Sequence, residues 1–97
     1  MTKGGWVYFM STGPNGVLYV GVAADLVRRV FEHRQGVVEG FTKRHGLKRL
    51  VYFERHEEIL EAIAREKVIK HWTRAQKVRL LAKDNPGWDD LWERILG

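Results

Sequence analysis

The sequence predicts a small α/β domain, and three observations predict it. Two short apolar, aromatic-rich runs flank Thr12-Gly13-Pro14-Asn15-Gly16, the chemistry of a tight turn between two strands. At Asp25 the apolar period changes from that of a strand to that of a helix. A third strand-like run then leads into a long helical pattern from Glu57 to Trp72. The 97 residues suffice for one core and not for two, so the expectation is a single domain over 1–97.

Trp6-Val7-Tyr8-Phe9-Met10 is too short for a helix and dense in aromatics, which suits a first strand. Asn15-Gly16 suits positive φ at consecutive positions. The second strand starts at Val17, and the hairpin brings Tyr8 and Tyr19 within reach of each other. Asp25 is placed to cap a helix whose apolar stripe reads Leu26, Val27, Val30 and Phe31, with Gly36 just past its end. Arg29 borders that stripe, and His33 lies one turn further on the same face. From Gly36 to Gly46 periodicity fades in a basic, loop-like stretch, and Leu47 to Glu54 reads as a third strand.

In the Glu57–Trp72 helix the stripe is Ile59, Ala62, Ile63, Ile69 and Thr73, while Glu61 and Arg65 are spaced to pair on the exposed side. Glu66 breaks the pattern. It lies seven after Ile59, four after Ala62 and three after Ile63, which puts a carboxylate on the core-facing stripe. Thr73-Arg74-Ala75-Gln76 has the form of a capping box opening another helix to about Lys83. Asn85-Pro86-Gly87 stops it, and Trp88 to Leu96 reads as a short closing helix begun by Asp89 or Asp90.

Composition narrows the function. Apolar residues make up 44% of the chain and include four tryptophans, which argues for a packed globule. Lysine and arginine outnumber aspartate and glutamate 17 to 12, a net charge of +5 that favours an anionic partner such as nucleic acid. Without cysteine there are no disulfides and no thiolate metal sites. No apolar run reaches membrane-spanning length and the start lacks a signal-peptide pattern, so the chain reads as soluble, cytoplasmic and without a membrane partner. No zinc spacing, P-loop or serine-nucleophile motif is present.

Tyr8 within Trp6-Val7-Tyr8, then Tyr19-Val20-Gly21, Arg29, His33, Glu66 and Asn85, taken in order, resemble the GIY-YIG nuclease family. The likeness runs from Trp6 to about Trp88 and is greatest to small stand-alone bacterial members akin to the nuclease domain of the bacterial excinuclease. Trp6 stands where the motif has glycine, and Val22 follows Gly21 where some members carry a lysine. The resemblance implies a small antiparallel three-stranded sheet flanked by helices. It implies an endonuclease hydrolysing DNA, with one divalent metal, Mg²⁺ or Mn²⁺, and a place in DNA repair or recombination. Tyr8 and Tyr19 would position and deprotonate the attacking water, Glu66 would hold the metal, Arg29 would neutralise phosphate charge, and His33 and Asn85 would support the site.

Elementary chemistry agrees in kind. Phosphodiester hydrolysis needs an activated water and charge neutralisation on the phosphoryl oxygens. Glu66 offers one hard oxygen ligand; its alternative is an ion pair with Lys70, four residues on. Arg29 offers a permanently charged planar fork, whereas Arg28 reads as a solvated helix charge. Forming phenolate from an ordinary tyrosine at pH 7 costs roughly 4 kcal/mol, so a tyrosine base requires a cation beside it. Lys43, Arg44, Lys48 and Arg49 are candidates for phosphate-backbone contacts. The alternatives from other classes are a non-catalytic nucleic-acid-binding module of the same fold and a nuclease that cuts RNA.

Overall fold

The structure is a computed structural model that describes residues 4–37, 40 and 45–97. Three strands, β1 (Gly5–Ser11), β2 (Leu18–Ala23) and β3 (Arg49–His56), form one antiparallel sheet in the order β2-β1-β3. Helix α1 (Leu26–Gln35) follows β2, and α2 (Ile59–Lys70), α3 (Arg74–Asp84) and α4 (Trp92–Leu96) follow β3. The α/β class and the three-stranded antiparallel sheet with helices are therefore as the sequence predicts. Among the described residues no helix is long and apolar enough to cross a membrane.

β1 is central and covered on both faces, which is why its sequence is an unbroken apolar run and not an alternating one. Val7 and Phe9 join Val20, Tyr52, Ala62 and Ile69 in one core layer, while Tyr8 and Met10 join Leu26, Val30, Leu50 and Leu91 in the other. In the hairpin Asn15 takes φ 58° as its turn chemistry predicts, but Gly16 does not share the positive φ, because the loop from Thr12 to Val17 is wider than a two-residue turn. Asp25 caps α1 by accepting from the Arg28 N–H at 3.1 Å, and Gly36 ends it at φ 71°. Thr73 and Gln76 close the capping box of α3.

Several local expectations change. The inward face of α1 is Leu26, Val30 and His33, and Val27 and Phe31 are 38% and 51% exposed. Steps of four and three keep one line of side chains against the sheet, and a residue one step along is rotated about 100° away. Arg65 does not pair with Glu61; its Nε donates to Glu54 on β3 at 3.0 Å, since a bidentate partner across the layer outcompetes an exposed one on the same helix. That carboxylate also accepts from Tyr52 and bonds His56, both at 2.6 Å. Burial raises the Glu54 pKa, but the hydrogen bonds from Tyr52, Arg65 and His56 outweigh it and hold the carboxyl below its ordinary range. The closing helix is only Trp92–Leu96, because Trp88, with φ 56°, is buried as a loop residue instead.

Asn85 explains a distortion of the sheet. Phe9 faces Tyr52 and Met10 faces Leu50, which leaves Val51 as the extra residue of a β-bulge. The Asn85 Nδ2 donates to the Val51 carbonyl at 3.0 Å and to the Asp89 carbonyl at 2.9 Å, while its Oδ1 accepts from the Asp89 N–H at 3.0 Å. One buried carboxamide thus serves the bulge and the turn after α3.

Candidate active site

The site is built where β2, α1 and α2 meet, and its geometry begins at Gly21. The register sets Gly21 opposite Tyr8. A Cβ on Gly21 would lie 2.5 Å from both Cζ and Oη of Tyr8 and 2.9 Å from a Tyr19 ring carbon. Glycine is what lets both phenol rings lie across this strand. The rings of Tyr8 and Tyr19 are 6.3 Å apart, and α1 adds His33 at 5.5 Å from the first and 5.6 Å from the second.

The Tyr8 Oη is 2.9 Å from His33 Nε2, and both residues are buried. Burial above all, and then the neighbouring Tyr19, pushes the Tyr8 pKa above its ordinary value; the Arg29 guanidinium pulls it down and the Glu66 carboxylate adds to the rise. Tyr8 is therefore a neutral phenol that gives up its proton only when further positive charge arrives. His33 is held neutral: burial, followed by the charge of Arg29, lowers its pKa from 6.5 to about 4. Its Nδ1 is buried without a hydrogen-bond partner among the described residues. The direction of the bond follows the tautomer: with the proton on Nδ1 the Tyr8 O–H donates to Nε2, and with it on Nε2 the imidazole donates to the phenol oxygen.

A pH dependence follows from His33. Its folded-state pKa lies below the unfolded one, so the unfolded chain binds the proton first. The stability due to neutral His33 is fully present above about pH 6.5 and is lost as pH falls towards 4. Thermal melts should show a decline over that interval worth roughly 2–3 kcal/mol, and His33→Gln should flatten it. The depressed Glu54 adds a separate loss only below its ordinary value of 4.5. A His33→Gln protein with the wild-type decline would show that another group titrates.

Glu66 is only 9% exposed although charged, and its Oε2 is 3.0 Å from Lys70 Nζ. The ion pair read as its alternative is thus formed, and the same carboxylate also acts on Tyr8. Lys70 is half exposed and engages one oxygen; Oε1 takes no hydrogen bond among the described residues. No group of three or more potential metal ligands occurs among the described residues, so Glu66 offers a single carboxylate. That fits a hard cation that keeps most of its water, such as Mg²⁺.

Arg29 lies on the rim of α1, where its Nη1 is 3.4 Å from Glu32 Oε1; Arg28 approaches the other Glu32 oxygen at 3.6 Å with a side chain 78% exposed. The sequence reading overlooked Glu32, although its spacing of three and four from the two arginines signals the pairs. Arg28 and Arg29 line an open cleft of about 380 Å³ between α1 and α2, floored by Val22, Ala23 and Ile63.

The other candidates lie apart from this cluster. Asn85 is occupied by main chain beside β3, on the opposite side of β1 from β2, and makes no hydrogen bond to the tyrosines, His33 or Glu66. Lys48 and Arg49 line a second cavity of about 410 Å³ with Arg34 and Asp90. There Arg49 donates to the Trp88 carbonyl at 2.9 Å, and Arg34 pairs with Asp90 at 2.8 Å. Lys43 and Arg44 lie outside the described residues.

Comparison with known proteins bears on the family and the fold. The family described as the GIY-YIG catalytic domain matches residues 4–79. UPF0213 proteins of Staphylococcus aureus strains Mu50 and N315 are each 42% identical over 67 residues, covering 69% of this chain and 82% of theirs. The solution NMR structure of the UPF0213 protein BH0048 from Bacillus halodurans superposes with a TM-score of 0.56 at 26% identity, over 90% of this chain and 92% of that one.

Proposed function

This chain belongs to the GIY-YIG family, and on that premise we propose that it is a metal-dependent endonuclease hydrolysing phosphodiester bonds in DNA. The family is one of nucleases, which act on nucleic acid and generally use a divalent metal. The observation that carries the proposal for this chain is the convergence of Tyr8, Tyr19 and His33 over Gly21, with Arg29 and Glu66 close enough to act on the Tyr8 phenol.

In this reading the Arg29 fork engages the non-bridging oxygens of the scissile phosphate and stabilises the charge that grows on them. His33 stays neutral and donates from Nε2 to the Tyr8 oxygen, which supports that oxygen as it takes on negative charge. Once positive charge is in place beside it, Tyr8 releases its phenol proton to solvent. The resulting phenolate, held by this hydrogen bond, is the general base that takes the proton of the attacking water, and Tyr19 orients that water. Glu66 would hold the divalent ion, which when bound supplies positive charge at the phosphate and a lower pKa for the groups around it. Asn85 has no place in these steps and holds the β3 bulge closed. Lys48 and Arg49 are proposed to meet phosphates outside the reacting bond. A role in DNA repair or recombination in the cytoplasm is consistent with such an activity.

The test is incubation of the protein with a panel of labelled DNA and RNA structures in Mg²⁺, Mn²⁺ or EDTA. Cleavage of DNA that EDTA abolishes is expected. Binding without cleavage would favour the non-catalytic module, to which Val22 in place of a lysine points, and cleavage confined to RNA would move the substrate class. In the same assay Arg29→Ala should lose about 100-fold or more in rate while retaining most of its DNA affinity. Arg28→Ala, which removes a charge from the solvated wall of the cleft, should keep nearly the wild-type rate at saturating DNA and lose only affinity. Equal losses in the two variants would refute the role given to Arg29.

A further inference from the structure

Beyond the reacting cluster, the sheet leaves an aromatic corner incompletely covered. Trp6 and Phe53 are each only partly buried, and their rings meet edge to face at 6.0 Å and 61°. Trp6 is two residues before Tyr8, so it points to the same face of β1. The corner opens into a cavity of about 490 Å³ walled by Leu26, Val27, Ile95 and Arg94, within the size range of small-ligand sites. The Arg55 guanidinium lies 5.9 Å over the Trp6 ring. Neither Arg55 nor Arg94 has an acidic partner among the described residues. Two arginines outside any ion pair among the described residues, beside two incompletely covered aromatic rings, are the surface chemistry of a base-stacking platform.

The cavity does not stand alone. It shares Ala24 and Asp25 with the cleft that holds Arg28 and Arg29. A polyanion lying in that cleft would reach the aromatic corner by crossing only the β2–α1 turn. Asp25, the one acid at the crossing, is tied by Oδ1 to the N-terminus of α1, whose positive end offsets its charge. We propose that Trp6 and Phe53, with Arg94 and Arg55, form a subsite for one unpaired nucleobase flanking the scissile phosphate. The base lies in the cavity against the open side of the ring pair, and the guanidinium groups meet its phosphate. This rests on the nuclease reading above and adds to it a position at which the substrate must be unstacked.

The experiment measures binding in EDTA, where no cleavage occurs, to two labelled probes of equal length. One is an oligothymidylate and the other carries the same phosphates on abasic spacers. Wild type should bind the thymidylate about tenfold more tightly, within the range of one stacked base. Trp6→Leu should bind both probes equally, at the affinity wild type has for the spacer probe. Phe53→Leu should show the same loss of preference and serves in its place if Trp6→Leu melts early. Arg94→Gln should weaken both probes alike. A folded Trp6→Leu or Phe53→Leu protein that keeps the preference overturns the subsite, as does wild-type protein that binds both probes equally well. A change in self-association with the preference intact also overturns it, because the corner would then join two copies of the chain. Wild-type protein that neither binds a probe nor cuts the nucleic-acid panel would overturn the nuclease reading itself, and the subsite with it.

Discussion

Glu66→Gln is expected to lower cleavage in Mg²⁺ by about 100- to 1,000-fold while DNA binding in EDTA is unchanged. The substitution keeps the size of the side chain and removes the charge that would hold the cation. Stability should scarcely move, because two effects oppose each other. Loss of the pair with half-exposed Lys70 costs roughly 0.3–0.5 kcal/mol. Removal of a charge from a side chain that is only 9% exposed acts in the opposite direction. The discriminating measurement is the thermal melt with and without Mn²⁺. Ion binding to the folded state raises the wild-type midpoint by mass action and leaves that of the variant in place. A Glu66→Gln protein that still cuts would remove the metal from Glu66 and leave the carboxylate as the partner of Lys70 alone.

Gly21→Ala should be nearly as damaging to activity and, unlike Glu66→Gln, should also reach the fold. The added methyl meets Tyr8 at 2.5 Å and Tyr19 at 2.9 Å. Tyr8 has no room to yield, since it is 1% exposed and its oxygen is fixed by His33. Overpacking of this kind costs about 1–3 kcal/mol. Displacing Tyr8, the base proposed above, by about 1 Å costs on the order of 100-fold in rate. Both losses should appear together, as an earlier melt and a lower rate at full DNA affinity. Gly13→Ala is the control, because a Cβ there meets nothing within 4 Å. A Gly21→Ala protein of wild-type rate would show that the close approach of the two phenols is not needed for the reaction.

How much of this was legible in the sequence depended on the range of the forces involved. The turn at Asn15, the caps Asp25 and Gly36, the capping box Thr73–Gln76 and the stop before Pro86 are decided within a few residues, and the structure has all of them. The hairpin followed from the same local chemistry, and with it the approach of Tyr8 to Tyr19. The periodicity that set Glu66 on a core-facing stripe was equally local, and the carboxylate is buried there. Family membership was legible because six short signals occur in one order, although none of them is specific alone.

Partnership across layers was not legible, because it depends on which groups the packed sheet brings within 3 Å. Arg65 had Glu61 within reach on its own helix and took Glu54 on β3, where two hydrogen bonds and lower solvent exposure favour the longer-range pair. Asn85 was grouped with the catalytic residues by resemblance, but its carboxamide is spent on a bulge that exists only once β3 is set against β1. Glu66 was read either as a metal ligand or as the partner of Lys70; the packed structure forms the pair with Lys70 and sets the carboxylate where its charge is felt at Tyr8. The chain alone thus determined the elements and several of their ends, and it singled out Tyr8, Tyr19 and His33, whose rings converge in the structure. The tertiary structure decided that His33 is neutral, Tyr8 a phenol and Gly21 the clearance between two rings, because burial and mutual distance, which set those properties, arise only when the layers close.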